Sequence, residues 1–183
     1  MTETTSPAVC ATAALVAVAV SDSRRSADAV WVSLAALLVV ALPMAFIVVG
    51  VRRGRWSDHH VGDRAARTVP LLVAVVGVSA AVVLLSLADA SRAVLAVVIA
   101  MLVGLLAVLA VTRWWKVSIH CAVAAGLLAV LVTTYGPWWL LGLPAIAAVA
   151  WSRVVLDDHT ALQATVGAAL GGAVAATIFP LLR

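Results

Sequence analysis

The sequence predicts an all-α membrane protein: a polytopic helix bundle with about six transmembrane helices, forming a single domain over residues 1–183. Of the 183 residues 65% are hydrophobic and only 11% are charged, and the mean hydropathy is +1.17. A soluble domain has roughly 45–50% apolar and about 25% charged residues. One core cannot bury this excess, because a chain of this length keeps much of its surface exposed. We therefore expect a multi-pass protein of the cell membrane.

Six apolar segments of about membrane-spanning length lie between the charged residues. A spanning helix needs roughly 20 mainly apolar residues, and backbone groups in hydrocarbon must pair internally, which favours helices. An earlier apolar stretch, residues 7–20, has 14 residues and is either a short first span or a helix at the membrane interface. Pro43 and Pro144 fall inside predicted helices and should kink them. The six segments are 29–51, 68–88, 93–112, 117–135, 137–151 and 160–182.

Three connections fall on the same side of the membrane when the crossings are counted. They are the 52–67 loop, the 113–116 junction and the 152–159 turn, and two helices separate each from the next. Ionisable residues near the membrane are costly and usually functional. This side is therefore the candidate active site. It carries all four histidines and the only lysine of the chain: His59, His60, His120, His159 and Lys116.

The charged residues on this side suit phosphate. Arginine offers planar bidentate donors to phosphate oxygens, and lysine adds a compact point charge. His120 and His159, from two separate helix ends, supply a candidate nucleophile and a candidate proton donor near neutral pH. The net charge of +4 does not indicate nucleic acid, because the basic residues lie in short loops, where they set topology or bind anionic headgroups.

Three stretches on this side have characteristic spacings. Residues 151–159, WSRVVLDDH, contain Ser-Arg, five further residues and His; residues 116–120 read KVSIH, and residues 63–70 read DRAARTVP. These stretches resemble the third, second and first signatures of the type 2 phosphatidic acid phosphatase superfamily, the first only loosely. The second signature is usually Pro-Ser-Gly-His, of which this chain keeps Ser and His. The resemblance covers about residues 56–172 of a phosphatase-like core at about 29–182, and residues 1–28 form an N-terminal segment outside it.

The resemblance implies hydrolysis of a lipid or polyprenyl phosphate or diphosphate through a phosphohistidine, without a metal or other cofactor. His159 would attack phosphorus and His120 would protonate the leaving oxygen. At the position of the family's orienting Asp this chain has Gln163, which accepts a hydrogen bond but offers no charge; Asp158 is a second candidate for orienting the ring. The residues implied to bind phosphate are Arg153, Lys116, Ser118, Arg64, Arg67 and Ser152.

Two other classes of function fit parts of the same pattern. In the first, aspartates of the 52–67 loop and the pair Asp157-Asp158 hold Mg²⁺ against a prenyl diphosphate, as in an intramembrane prenyltransferase or terpene cyclase. In the second, the chain binds or transports a lipid phosphate without turnover, for which the neutral Gln163 is the best argument. The loop aspartates are Asp58 and Asp63.

Overall fold

Every regular element in the described part of the chain is helical. The computed structural model describes residues 6–21, 28–54, 68–88 and 90–183. This confirms the predicted all-α fold class. The elements are α1 (Pro7–Ser21), α2 (Asp28–Ala36), a π-helical segment (Leu37–Ala41), α3 (Leu42–Arg52), α4 (Thr68–Leu87), α5 (Arg92–Thr112), α6 (Ile119–Tyr135), a 3₁₀ segment (Pro137–Gly142), α7 (Leu143–Val155) and α8 (Ala161–Leu182).

The helices make this a multi-pass membrane protein. Five of the described helical stretches have the length and hydropathy of a membrane span. The 17 residues of α6 lie at the short end of the spanning range of about 17–25 residues. All six predicted segments therefore correspond to observed helices, with ends that differ by a few residues. The five long stretches are Ala29–Arg52, Thr68–Leu87, Arg92–Thr112, Pro137–Val155 and Ala161–Leu182.

Helix α1 packs inside the bundle rather than along its edge. Leu15 and Val18 are fully buried. Near the end of α1, the Tyr135 hydroxyl donates a hydrogen bond of 2.6 Å to the Ala17 carbonyl, and nearer its start Cys10 shares an apolar cluster with Cys121. Helix α1 therefore runs parallel to α6 and begins at the same end of the bundle. Of the two placements left open by the sequence, the packing favours a helix within the bundle.

Both prolines expected to kink a helix lie where the helix type changes. The π-helical segment immediately precedes α3, which has Pro43 in its first turn. Pro144 was expected inside a helix but lies in the first turn of α7, directly after the 3₁₀ segment. A proline is tolerated there because the first-turn N–H groups have no intrahelical acceptor. The 137–155 stretch therefore changes geometry at its proline and remains helical throughout.

Helices α6 and α8 pack in parallel through glycine. A Cβ atom at Gly167 would overlap the Ser118 carbonyl, and one at Gly171 would overlap the Ala122 carbonyl. The two glycines and their two partners are each four residues apart, so they form matching rows along the facing sides of the helices. The backbones approach closely only because the glycines have no side chain. This contact fixes the start of α6, which carries His120, against the start of α8.

We expect Gly171→Ala to lower the free energy of unfolding by about 1–3 kcal/mol, because the new methyl group overlaps backbone that cannot move without separating the helices. Gly172→Ala is the matched control, since its Cβ would lie 3.6 Å from the Ala125 Cβ, an ordinary contact. It should change the same quantity by less than about 1 kcal/mol. Unfolding of both variants in mixed micelles provides the measurement. Equal losses in the two variants would contradict the role given to this contact.

Candidate active site

The turn after α7 brings Arg153 and His159 together. The Arg153 carbonyl accepts hydrogen bonds from the backbone N–H groups of both Asp158 and His159, each 3.1 Å long. The Asp157 N–H donates to the Val154 carbonyl at 3.0 Å, and Asp157 has a φ of 56°. These bonds form a Schellman motif, in which a left-handed residue reverses the chain at the helix end. The five residues between Arg153 and His159 are the length needed for this reversal.

Arg153 is a buried cation that forms an ion pair with one carboxylate. Its side chain is 2% exposed, and its Nη1 lies 3.1 Å from Asp158 Oδ2 in an ion pair. Its Nε donates to Ser152 Oγ at 3.4 Å, whereas Nη2 is buried and has no hydrogen-bond partner among the described residues. A buried guanidinium remains charged, and leaving one of its donors unpaired is costly. The geometry therefore leaves one edge of the guanidinium for an anion.

Gln163 fixes the tautomer of His159. Its Oε1 lies 3.2 Å from His159 Nδ1 and also accepts a 3.2 Å hydrogen bond from the Thr160 backbone N–H. Because an N–H can bond only to the amide oxygen, the second contact identifies which end of the amide faces His159. Nδ1 must then be the protonated nitrogen of the neutral ring. The lone pair is on Nε2, the nitrogen that can attack an electrophile.

Ser118 holds the start of α6 in place. Its Oγ accepts a 3.4 Å hydrogen bond from the Cys121 N–H as the N-cap of the helix, and its own N–H donates to the Gln163 carbonyl at 3.2 Å. The side chain is fully buried. Ser118 therefore links α6 to the first turn of α8. His120, two residues later, is positioned by this link.

The histidines and Arg153 meet at the polar end of one apolar cavity. The cavity has a volume of about 390 Å³ and is lined by residues of α1, α4, α5, α6 and α8 and by the continuous helix through α3. His159, 7% exposed, and His120 both line it. Most of the wall is Val, Ala, Leu, Ile, Met, Pro and Gly. The polar side chains in the wall are Ser6, His120, Arg153, Asp158 and His159.

The structure divides the residues that the sequence singled out into three groups. His120, His159, Arg153 and Asp158 line the cavity. Ser118, Ser152 and Gln163 contact these residues or their helices from behind. Lys116 lies half-buried between α5 and α6 and is not part of the cavity wall. The predicted phosphate ligands Arg64 and Arg67 lie outside the described residues, as do Asp58, His59, His60 and Asp63.

Thr160 was overlooked in the sequence, although its signal is present. Thr160 Oγ1 accepts a 3.3 Å hydrogen bond from the Gln163 N–H, and the Gln163 side chain accepts one from the Thr160 N–H. This Thr-x-x-Gln pattern is a capping box, readable from its three-residue spacing. It shows that Gln163 both caps α8 and orients His159. The contribution of α1 to the cavity has no comparable signal in the sequence.

The described residues contain no group of three His, Cys, Asp or Glu side chains that could hold a metal ion. Of the aspartate pair assigned to Mg²⁺ in one alternative, Asp158 is paired with Arg153 and Asp157 is an exposed turn residue. Both therefore have structural roles in the turn.

Comparison with known proteins gives no match: no protein-family model, curated protein or solved structure matches this chain.

The left-handed conformation of Asp157 gives a test of the turn that leaves the cavity unchanged. A residue with a Cβ pays about 1–2 kcal/mol in this conformation, and glycine does not. We expect Asp157→Gly to raise the free energy of unfolding by about 0.5–1 kcal/mol. Asp157→Ala, which keeps the Cβ, should not raise it. Thermal unfolding in detergent compares the two variants, and a gain in stability with alanine equal to that with glycine would contradict the Schellman turn.

Proposed function

We propose that this protein is a phosphatase of the cell membrane that hydrolyses a lipid or polyprenyl phosphate or diphosphate through a phosphohistidine intermediate. One observation carries the proposal. A buried, incompletely paired arginine and two histidines lie together at the polar end of an apolar cavity within a membrane bundle. The cavity wall suits a lipid chain, and its polar end suits a phosphate. The resemblance of residues 116–120 and 151–159 to phosphatase signatures supports the same assignment.

The chemistry proceeds in two steps. In the first, the Nε2 lone pair of His159 attacks phosphorus; the P–N bond forms, the bond from phosphorus to the leaving oxygen breaks, and His120 gives its proton to that oxygen. In the second, His120 takes a proton from water, whose oxygen attacks phosphorus. The P–N bond then breaks, which releases phosphate and restores His159. The Nδ1–H bond to Gln163 holds the ring in the required tautomer.

Arg153 is the principal group that stabilises the phosphoryl oxygens. Charge on these oxygens must be neutralised in the transition state, and a buried guanidinium does so in a site from which water is largely excluded. Arg153 is already fixed by Asp158 and Ser152 before an anion binds, so little reorganisation is needed. Lys116, Ser118, Arg64, Arg67 and Ser152 are assigned to phosphate through the family resemblance alone.

We expect the purified protein in detergent to release phosphate from at least one member of a substrate panel, with EDTA present. The panel contains phosphatidic acid, phosphatidylglycerol phosphate, and polyprenyl mono- and diphosphates. His159→Ala should reduce release by several orders of magnitude, because the nucleophile is lost. The variant must keep the thermal unfolding temperature of the original protein. Full residual activity in a folded His159→Ala protein would overturn the assignment.

The role of His120 can be separated from that of His159 with 4-nitrophenyl phosphate, whose leaving group needs no proton. We expect His120→Ala to release about one nitrophenolate per protein in a fast burst and then to slow by about 10²–10⁴-fold, because the second step lacks its base. A phosphorylated protein should accumulate. His159→Ala should give neither burst nor phosphoprotein. A burst in His159→Ala would contradict its role as nucleophile.

The neutral Gln163 is expected to limit the rate. In Gln163→Glu a carboxylate of the same length still accepts from the Thr160 N–H and also stabilises the positive charge that develops on the ring of His159. We expect kcat to rise about tenfold or more. Gln163→Leu, which removes the acceptor, should lower kcat. A lower kcat in Gln163→Glu would instead show that the uncharged amide has a catalytic role of its own.

The same assay separates the two alternative functions. Phosphate release that stops with EDTA, or diphosphate release together with a changed prenyl chain, would favour the Mg²⁺-dependent enzyme. Binding of the lipid phosphate by a folded protein without any release would favour the binding or transport protein, as the neutral Gln163 suggests.

A further inference from the structure

The cavity extends from the histidines to about the middle of the bundle. Along α6 its wall runs from His120 to Val130, a distance of about 15 Å at 1.5 Å per residue. The hydrocarbon core of a bilayer is about 30 Å thick, so one leaflet accounts for about 15 Å. The polar end of the cavity lies at the end of the bundle where α6 and α8 begin. The cavity is therefore about as deep as one leaflet, with its polar groups at the level of the lipid headgroups.

The volume of the cavity fits one chain. A water molecule takes up about 30 Å³, close to the volume of a methylene group, so 390 Å³ holds about 13 such groups. A lipid with two chains of ordinary length has at least twice this number. The cavity is lined by residues of α1, α3, α4, α5, α6 and α8, so its apolar part lies among the helices of the bundle. A second chain would exceed this volume.

From this depth and volume we infer that the ligand is a phosphate ester carrying a single apolar chain, alkyl or prenyl, and that the cavity limits the length of that chain. The inference relies on the proposed function for the chemistry of the headgroup. Arg153, with its unpartnered Nη2, fixes the phosphate at one end. The chain then extends past Gly104 on α5 toward Val97 and Val130. Its length is limited by the volume of the cavity, whose lining residues Val97 and Val130 are buried in the bundle.

Gly104 is the position at which this limit can be changed. A Cβ placed there would meet only Val174 Cγ1, at 3.8 Å, so a larger side chain enters the cavity without displacing backbone. Along α5 the wall runs from Val108 to Val97, and Gly104 lies four residues, about 6 Å, from Val108. Gly104→Leu adds four carbons to the cavity. Ala110→Leu is the matched control, because Ala110 lies on the exposed face of the same helix.

The test uses single-chain n-alkyl phosphonates, which bind as phosphate esters do but are not hydrolysed. Chains of roughly 6 to 18 carbons bracket the capacity of the cavity. The shift in thermal unfolding temperature gives the affinity for each length. In the original protein and in Ala110→Leu the affinity should rise up to about 13 carbons and no further. In Gly104→Leu the limit should shorten by about four carbons. Farnesyl and dodecyl phosphonates, which have main chains of the same length, distinguish a prenyl from an alkyl ligand.

An identical dependence on chain length in Gly104→Leu and Ala110→Leu would overturn the inference, because it would place the chain outside the cavity. Affinity that keeps rising to the longest chain in all three proteins would overturn it as well. A shortened limit in Gly104→Leu alone supports it, and this outcome does not depend on turnover. Binding with this limit but without phosphate release would therefore refute the proposed phosphatase and leave the single-chain ligand standing. Release without the limit would refute the single-chain ligand alone.

Discussion

The buried charge of Arg153 is the constraint on which the site depends. A guanidinium that is 2% exposed in an apolar bundle is costly unless an anion compensates for it. The chain supplies Asp158 through the Schellman turn, and the turn depends on the carbonyl of the same arginine. The turn also brings His159 to the cavity. One residue thus organises the backbone, holds the partner carboxylate and leaves its Nη2 without a hydrogen-bond partner among the described residues.

The close packing of α6 and α8 ties the geometry of the site to the stability of the fold. Gly167 contacts the backbone of Ser118, which caps the helix carrying His120, and Ser118 donates to the carbonyl of Gln163, which orients His159. The residues that position His120 and His159 therefore meet at the contact between α6 and α8. In a bilayer, where lipid competes for apolar surface, such small-residue contacts provide packing that larger side chains cannot.

Gln163 has two roles, one in capping α8 and one in orienting the ring of His159. As the third helical residue of a capping box it satisfies the Thr160 N–H, and as a neighbour of His159 it sets the tautomer. An amide oxygen performs both tasks without charge. The family resemblance implied the hydrogen bond from Gln163 to His159 but not the cap, although the Thr-x-x-Gln spacing of the cap is visible in the sequence.

The sequence alone determined the fold class, the approximate ends of the five long helical stretches and of α6, and the side on which His120, Arg153 and His159 meet. These depend on local hydropathy and on counting crossings. Only the tertiary structure decided how the helices face one another: α1 beside α6, Ser118 as a cap behind the site, and a cavity of about 390 Å³ between them. The physical reason is that helices such as α4, α6 and α8 are apolar on every side, so no polar face identifies which surface meets a neighbour. Close backbone contacts at glycine determine which helix surfaces meet, and these contacts exist only in the packed structure.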